Sequence, residues 1–304
     1  MLIAGDLFHR QPLLRELKEV NYLFSTLTDT QIVLMAGNHD CIRKHSYYRT
    51  FSWHENVHMI TSRDISCIKL RELDTAVYGL SYYEKENEGH VYESVKLQDS
   101  CRYRILLAHG GDEKHFPFHK AAVERLGFDY VALGHIHKPQ ELIPNRMAYS
   151  GALEPIDRND TGRHGIIKGE LGDSGCKIKF QPAASREYVH ITIEVDADMT
   201  GFALRTQLRQ RIEAGGVQNI YKVTLEGVKA PEIIFDLENM NPYGNVTEIV
   251  DHTKPSFDFK RMLSQNRNNL IGRYIESFGD ARPGSVEYEA LCEGILALQE
   301  TKRG

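Results

Sequence analysis

Four short segments of the chain combine an apolar run with residues that bind metals or transfer protons. These segments are GDLFHR, GNHD, LLAHG and GHIH, and they carry Asp6, His9, Asn38, His39, Asp40, His109, His135 and His137. Each apolar run predicts a buried strand, and glycine accompanies the polar residues and allows a tight turn. Because ligands of α/β sheets gather at the carboxyl ends of strands, we expect these side chains to meet at one site.

The chemistry expected at this site is metal-assisted hydrolysis. The side chains are carboxylates, a carboxamide and imidazoles, with no thiolate, and this mixed set favours Mn, Fe or Zn over Mg or Ca. A carboxylate can bridge two cations about 3.5–4 Å apart, the spacing of two-metal hydrolases, and Asp6 is the obvious bridge. His135 and His137 lie two positions apart and point to the same side of an extended segment, which favours a shared metal. Two such ions would clamp a phosphodiester and activate a water.

Simpler interpretations of the same residues stay open. Asp6 could cap the helix predicted after Gln11, Asn38 could form a turn, and His109 could be a hydrogen-bonded core histidine. His115 and His119 lie beyond the motif in a loop, and we expect them at the surface. The remaining histidines have no partner pattern and are expected to be structural or exposed: His45, His54, His58, His90, His164, His190 and His252.

An alternation of strands and helices positions the four segments. Apolar residues at helical spacing predict a helix over 11–27 and a shorter one over 121–126. Short apolar runs predict strands over 2–5, 32–37, 65–73, 75–82, 103–109, 130–135, 147–152, 165–171 and 176–181. We therefore place one α/β domain over residues 1–184.

The pattern changes around residues 182–186. Strands over 189–195, 221–225 and 233–235 and a helix over 202–213 predict a small α+β capping domain, which we bound at 185–256. From 257 to 304 the chain is charged and helical, and residues 287–299 carry enough apolar residues for one packed face. Residues 268–278 (NNLIGRYIESF) carry a second apolar face, which packs either on the chain itself or on a partner.

The composition excludes several classes of protein. At 304 residues the chain is long enough for about two domains, and 41% hydrophobic with 26% charged residues is ordinary for a globular protein. No apolar run is long enough for a transmembrane helix, and the first ten residues lack the pattern of a signal peptide, so we expect a cytoplasmic protein and no membrane partner. Five scattered cysteines argue against a disulfide framework. A net charge of -5 argues against nucleic-acid binding by bulk charge but not against a local basic groove.

In this order, GDLFHR, GNHD, AHG and GHIH resemble the motifs of the calcineurin-like metallophosphoesterases. They are most similar to those of the SbcD-type DNA repair nucleases, including the YhaO-like group. Serine/threonine protein phosphatases carry GDxxDRG and GNHE instead, whereas here His9 and Asp40 replace the Asp and the Glu. The segment 149–155 (YSGALEP) also resembles a strand and loop of the nucleases. The resemblance covers residues 1–184 well and implies a four-layer α-β-β-α sandwich with a small α+β cap and C-terminal helices.

The resemblance also implies a role for each metal ligand. Asp6 would bridge two metals, which are Mn in the first instance, with Fe or Zn as alternatives. Asn38, His109 and His135 would complete one metal site, and His137 would belong to the other.

The same resemblance implies the reaction and the partners. His39 would act as general acid or transition-state stabiliser, and His9 would orient the substrate. The chain would be a phosphodiesterase acting on DNA, a nuclease or exonuclease subunit in DNA repair. Its partners would be DNA, an SMC-like ATPase of the SbcC type docked on the C-terminal segment, and in one alternative a second copy of the chain.

One motif of the family has no counterpart here. The family carries D-x-H on a strand before GDLFHR, and no such motif precedes Asp6. One metal site would then hold Asp6 and His137 alone, and the sheet would lack a central strand and keep an open edge. Either the true start lies upstream, or the chain is a truncated relative that binds one metal. The alternatives to a nuclease are therefore a single-metal scaffold that partners the ATPase, and a phosphoesterase for a non-DNA substrate.

Overall fold

Two compact units make up the protein. The computed structural model describes residues 1–282 and 284–300. The chain divides into the units Met1–Ser185 and Arg186–Gly304. Within the described residues no helix is both long and apolar enough to cross a membrane.

The first unit contains two sheets, a hairpin and two helices among its described residues. The strands are β1 (Leu2–Ala4), β2 (Ile32–Met35), β3 (Val57–Ile60), β4 (Ser66–Leu70), β5 (Thr75–Gly79), β6 (Tyr103–His109), β7 (Tyr130–Gly134), β8 (Gln140–Ile143), β9 (Met147–Tyr149), β10 (Gly165–Gly172) and β11 (Gly175–Pro182), and the helices are α1 (Leu14–Ser25) and α2 (Lys120–Glu124). One sheet has the order β1-β2-β3 and is parallel. The other has the order β4-β5-β6-β7-β9-β8, with β4 and β8 antiparallel to their neighbours. Strands β10 and β11 form an antiparallel hairpin.

The two sheets pack face to face, and alternation along each strand explains why. In β2, Val33 and Met35 point to the second sheet and pack against Leu107 of β6. Ile32 and Leu34 point the other way, into a cluster that includes Phe24 of α1. Because side chains alternate across a strand, a strand that is apolar throughout buries both of its faces.

The outer face of the larger sheet completes the layers. Leu106 and Ala108 of β6 alternate with the inward-facing residues and pack in a cluster with Val123 of α2. The order of layers is therefore helix, sheet, sheet, helix. The predicted α-β-β-α sandwich is confirmed.

The second unit contains a parallel sheet and four helices among its described residues. Its elements are β12 (Tyr188–Val195), α3 (Gly201–Gly215), β13 (Ile220–Lys229), β14 (Val246–Asp251), β15 (Lys254–Pro255), α4 (Phe259–Asn266), α5 (Leu270–Phe278) and α6 (Val286–Glu300). The sheet has the order β12-β13-β14, with β15 paired to the end of β13. Helix α3 buries Leu204, Leu208 and Ile212, which are spaced to share one face, against this sheet.

The C-terminal helices form a separate apolar cluster within this unit. Ile271 and Ile275 of α5 pack with Leu291 and Ile295 of α6. The apolar face predicted in residues 268–278 is therefore largely covered by the chain itself, while Leu270 is exposed.

The strand predicted over 233–235 is wrong. Pro231 stands at the second position of a turn closed by the hydrogen bond from Ile233 N–H to the Ala230 carbonyl (2.9 Å). Ile234 points to solvent, and only Phe235 is buried in the cluster beneath α3. The sequence also failed to predict β3, β8 and β14, which are short or polar on one face.

Candidate metal centre

Four strand ends bring the candidate ligands together. Asp6 follows β1, Asn38 follows β2, His109 is the last residue of β6, and His135 follows β7. Within each sheet these strands are neighbours and parallel, so their carboxyl ends lie at the same edge. Because the two sheets pack face to face, the ends of β1 and β2 lie opposite the ends of β6 and β7.

The donor atoms of these residues lie close enough to share one cation. Asn38 Oδ1 is 2.9 Å from His109 Nε2 and 3.2 Å from His135 Nδ1. Asp6 Oδ2 is 3.3 Å from His109 Nε2, and the ligand atoms of Asp6, His109 and His135 lie within 4.8 Å of one another. Two oxygen and two nitrogen donors suit Mn, Fe or Zn.

The tautomer of His109 shows why a cation fits here. His109 Nδ1 lies 2.7 Å from the Ala4 carbonyl oxygen, which only accepts, so Nδ1 carries a proton and donates it. In a neutral ring Nε2 then presents its lone pair to the oxygens of Asn38 and Asp6. The lone pairs of these three atoms repel one another, whereas a cation between them would bind all three. The hydrogen bond to the Ala4 carbonyl holds the His109 ring in the orientation that this ligation needs. The residues present therefore fit one divalent ion.

Two of the five non-glycine residues with positive φ among the described residues lie at the centre. Asp6 (φ 51°) and His135 (φ 94°) have left-handed backbone conformations, which are uncommon outside glycine, and Gly5 (φ 83°) precedes Asp6. Such outliers cluster at functional sites, where surrounding contacts hold them. Burial raises the pKa of Asp6, but in the absence of a cation the hydrogen bond and charge that His109 supplies when both of its ring nitrogens are protonated outweigh it, so the net pKa lies below the ordinary value. Asp6 is thus a carboxylate at neutral pH.

Asp40 is fully buried and holds the GNHD loop in shape. Its carboxylate accepts hydrogen bonds from Gly37 N–H (2.7 Å) and from the Tyr48 hydroxyl (2.9 Å). Burial, followed by the charge of Asp6, raises the pKa of Asp40 to about 6. Asp40 therefore supports the loop that carries Asn38 and does not itself reach the donor cluster.

His39 and His9 lie beside the cluster as a stacked pair. Their ring centroids are 4.2 Å apart with an interplanar angle of 23°. The backbone N–H of His39 donates to Asp6 Oδ1 at 2.8 Å. Burial lowers the pKa of His39, so its imidazole is neutral near pH 7. Neither ring belongs to a metal-ligating group among the described residues.

His137 lies in the same cleft but has a different partner. The cleft, of about 540 Å³, is lined by Asp6, His9, His135 and His137 together with residues of β1 and of the segment after β9. His137 Nδ1 is 2.9 Å from Asp160 Oδ2. Within residues 1–282 and 284–300, His137 joins no cluster of three ligating groups. Its role at a second metal stays a prediction.

Sequence reasoning missed two residues behind His135. Asp112 Oδ2 is 2.7 Å from His135 Nε2, and Asp112 Oδ1 is 2.7 Å from His115 Nδ1. The rings of His115 and His135 are 4.3 Å apart at their centroids. The prediction that His115 is a surface residue is therefore wrong, because its ring is packed into this group. The sequence contained a signal for this pair. Asp112 comes directly after the two glycines that follow His109, and His115 lies three positions further on, which is the spacing of one turn.

Comparison with known proteins agrees with this geometry. Residues 1–139 match the family described as calcineurin-like phosphoesterase. The chain carries a calcineurin-like phosphoesterase domain. The predicted calcineurin-like family is thus confirmed for the domain in residues 1–139.

The chain is similar to a bacterial protein and to an archaeal protein. It is 26% identical over 273 residues to the uncharacterized metallophosphoesterase YhaO of Bacillus subtilis. The aligned region covers 83% of this chain and 64% of that protein. It is 26% identical over 172 residues to the DNA double-strand break repair protein Mre11 of Methanocaldococcus jannaschii. The aligned region covers 53% of this chain and 46% of that protein. The chain thus spans less than two thirds of the length of either relative.

Proposed function

We propose that this protein is a Mn-dependent phosphodiesterase that acts on DNA, as a nuclease subunit in cytoplasmic DNA repair. The observation that carries the proposal is the convergence of Asp6, Asn38, His109 and His135 around one position. A carboxylate, an amide oxygen and two imidazoles are expected where a transition metal binds. The DNA substrate is supported by the relative named a DNA double-strand break repair protein.

The bound metal would lower the pKa of a water and neutralise charge on the phosphate. Asp6, Asn38, His109 and His135 would hold it, and the carbonyl of Ala4 and the carboxylate of Asp112 would orient the two imidazoles. His39 lies beside Asp6, where it would donate a proton or a hydrogen bond to the leaving oxygen. Its pKa is lowered by burial, but an anionic phosphodiester beside the ring would raise it. His9, stacked on His39, would position that ring and the substrate.

The test is hydrolysis by the chain as it stands, with and without Mn²⁺ and with EDTA. Single-stranded DNA, double-stranded DNA and a small phosphodiester such as bis(p-nitrophenyl) phosphate would be offered in parallel. We expect Mn-dependent cleavage of DNA that His109→Ala abolishes and His45→Ala preserves, because His45 is exposed and is none of the proposed ligands.

Two other outcomes would replace the proposal. Cleavage of the small diester with DNA untouched would make the protein a phosphoesterase for another substrate. Metal binding without hydrolysis of any substrate would make it a single-metal scaffold.

We also propose that an SMC-like ATPase docks on helices α4–α6. The support is that these helices form an apolar cluster of their own and still expose Leu270 and Val286. Deleting residues 257–304 is expected to abolish co-purification with such an ATPase while hydrolysis of the small diester continues. Loss of both activities together would mean that the segment is needed for folding, and the charge-neutral pair Leu270→Ser/Val286→Ser would then test docking alone.

A further inference from the structure

We propose that His90, Glu93 and His119 form a second transition-metal site, of the kind that takes Zn²⁺, which shares no ligand with the candidate metal centre. The ligand atoms of the three residues lie within 4.8 Å of one another. Glu93 belongs to a single helical turn over Val91–Ser94, and His90 directly precedes that turn. His119 directly precedes α2.

The geometry of the cluster is already close to that of a zinc site. His90 Nδ1 and His119 Nδ1 each lie 2.9 Å from the same atom, Glu93 Oε1. A tetrahedral Zn²⁺ with bonds of 2.0–2.1 Å to nitrogen and oxygen holds its ligand atoms about 3.3 Å apart. An ion therefore needs each Nδ1 to move away from Glu93 Oε1 by only a few tenths of an ångström, and the two nitrogens already lie within 4.8 Å of each other.

The cluster is ordered by contacts that do not depend on a metal. The rings of His90 and His119 stack with centroids 5.3 Å apart and an interplanar angle of 14°. The backbone N–H of His119 donates to Glu93 Oε1 at 2.7 Å and fixes the carboxylate between the rings. Next to Glu93, Tyr92 is fully buried and anchors the turn, because its hydroxyl contacts the backbone of His109.

The chemistry of the donors selects the metal. Two imidazoles and one carboxylate are the ligands of many zinc sites that keep a water in the fourth position. Hydrogen bonds from His90 and His119 hold the pKa of Glu93 down to about 2, so it is ionised at neutral pH. When the ion binds, the proton that each imidazole donates from Nδ1 to Glu93 would be lost from Nδ1, so that the ring carries its proton on Nε2 and presents the Nδ1 lone pair to the ion. An ion held in this way joins the turn at Glu93 to the start of α2.

The experiment measures Zn²⁺ binding to the full chain after removal of metal with EDTA and dialysis. Five proteins are compared by titration calorimetry and by bound zinc per chain: wild type, His90→Ala/His119→Ala, Glu93→Gln, His109→Ala, and the control pair His45→Ala/His252→Ala. His45 and His252 are exposed histidines outside both clusters. Co²⁺ absorption in the visible range reports a tetrahedral site independently.

We expect His90→Ala/His119→Ala to lose one zinc equivalent, or to weaken it more than about 10-fold. His109→Ala and the control pair are expected to retain that equivalent. Glu93→Gln keeps the size of the side chain and is expected to weaken the same equivalent, which covers the case in which the double variant misfolds. Identical isotherms for wild type, His90→Ala/His119→Ala and Glu93→Gln would overturn the proposal. Failure to hydrolyse DNA would not bear on it.

Discussion

At the scale of single residues, the orientation of the His135 ring depends on the carboxylate of Asp112. Asp112 Oδ2 contacts His135 Nε2, which leaves Nδ1 to face Asn38 and the candidate metal. Burial raises the pKa of Asp112, but hydrogen bonds from His135 and His115 lower it to about 2, so the carboxylate stays ionised. Replacing such an outer partner typically weakens metal binding about 10–100-fold. We therefore expect Asp112→Asn to weaken Mn²⁺ binding by that factor, measured by titration calorimetry.

The neighbouring Glu113 supplies a matched control. It is exposed and carries the same charge, so Glu113→Gln changes the net charge as Asp112→Asn does. Equal affinities of the two variants for Mn²⁺ would show that Asp112 acts through its charge alone and does not orient His135.

Asp40 predicts a pH dependence of stability. Burial and the charge of Asp6 raise its pKa to about 6 in the folded protein, whereas the unfolded value is near 3.8. The folded state therefore binds this proton more tightly, and the resulting stability is present below about pH 4 and lost as the pH rises through 6. A shift of about two units corresponds to roughly 3 kcal/mol.

The comparison with Asp40→Asn isolates this contribution. We expect the destabilisation caused by the substitution to be about 2–3 kcal/mol smaller at pH 7 than at pH 4, measured by urea unfolding in EDTA. Other titrating groups contribute to both proteins and cancel in the difference. A difference in unfolding free energy that does not change with pH would contradict the raised pKa.

At the scale of elements, the sequence predicted the strands that carry the candidate metal ligands, but it did not predict other strands of the sheets such as β8. The run Tyr103–His109 is apolar and ends in a glycine pair, and the structure has β6 over the same residues. Strand β8 (Gln140–Ile143) is polar at its start and was not predicted, because its residues pair with β9 through the backbone. Backbone pairing places little constraint on residue type, whereas burial on both faces requires a nearly continuous run of apolar residues.

The contact between β7 and β1 gives a prediction at this scale. A Cβ on Gly134 would overlap the carbonyl of Ala4, which is backbone and accepts the hydrogen bond from His109 Nδ1. Gly134→Ala must therefore push β1 away, and we expect about 1–3 kcal/mol of destabilisation together with weaker Mn²⁺ binding. Gly172→Ala is the control, because a Cβ at Gly172 in β10 meets open space. Equal unfolding free energies for the two variants would show that β1 accommodates the methyl group without moving.

At the scale of the whole molecule, the residue pattern predicts an α/β domain and the family resemblance implies the sandwich, but neither shows which distant residues touch. The four strand ends could be placed at one edge because parallel neighbouring strands end together. The contact of His109 with Ala4 spans 105 residues, and that of His135 with Asp112 spans 23. Such pairs follow from the facing of two sheets and the course of a loop, and no local pattern encodes them. The same holds for His90 and His119, whose meeting at Glu93 became visible only in the folded chain.

The division into two units predicts where a bound metal stabilises the protein. All four candidate ligands belong to Met1–Ser185 and come from the ends of four strands. A ligand at 100 times its dissociation constant stabilises the state that binds it by about 2.7 kcal/mol. We therefore expect Mn²⁺ to slow hydrogen exchange in peptides from β1, β2, β6 and β7, with no change in peptides from β12–β14. His109→Ala should remove the effect, and equal slowing in both units would mean that Mn²⁺ acts outside the proposed centre.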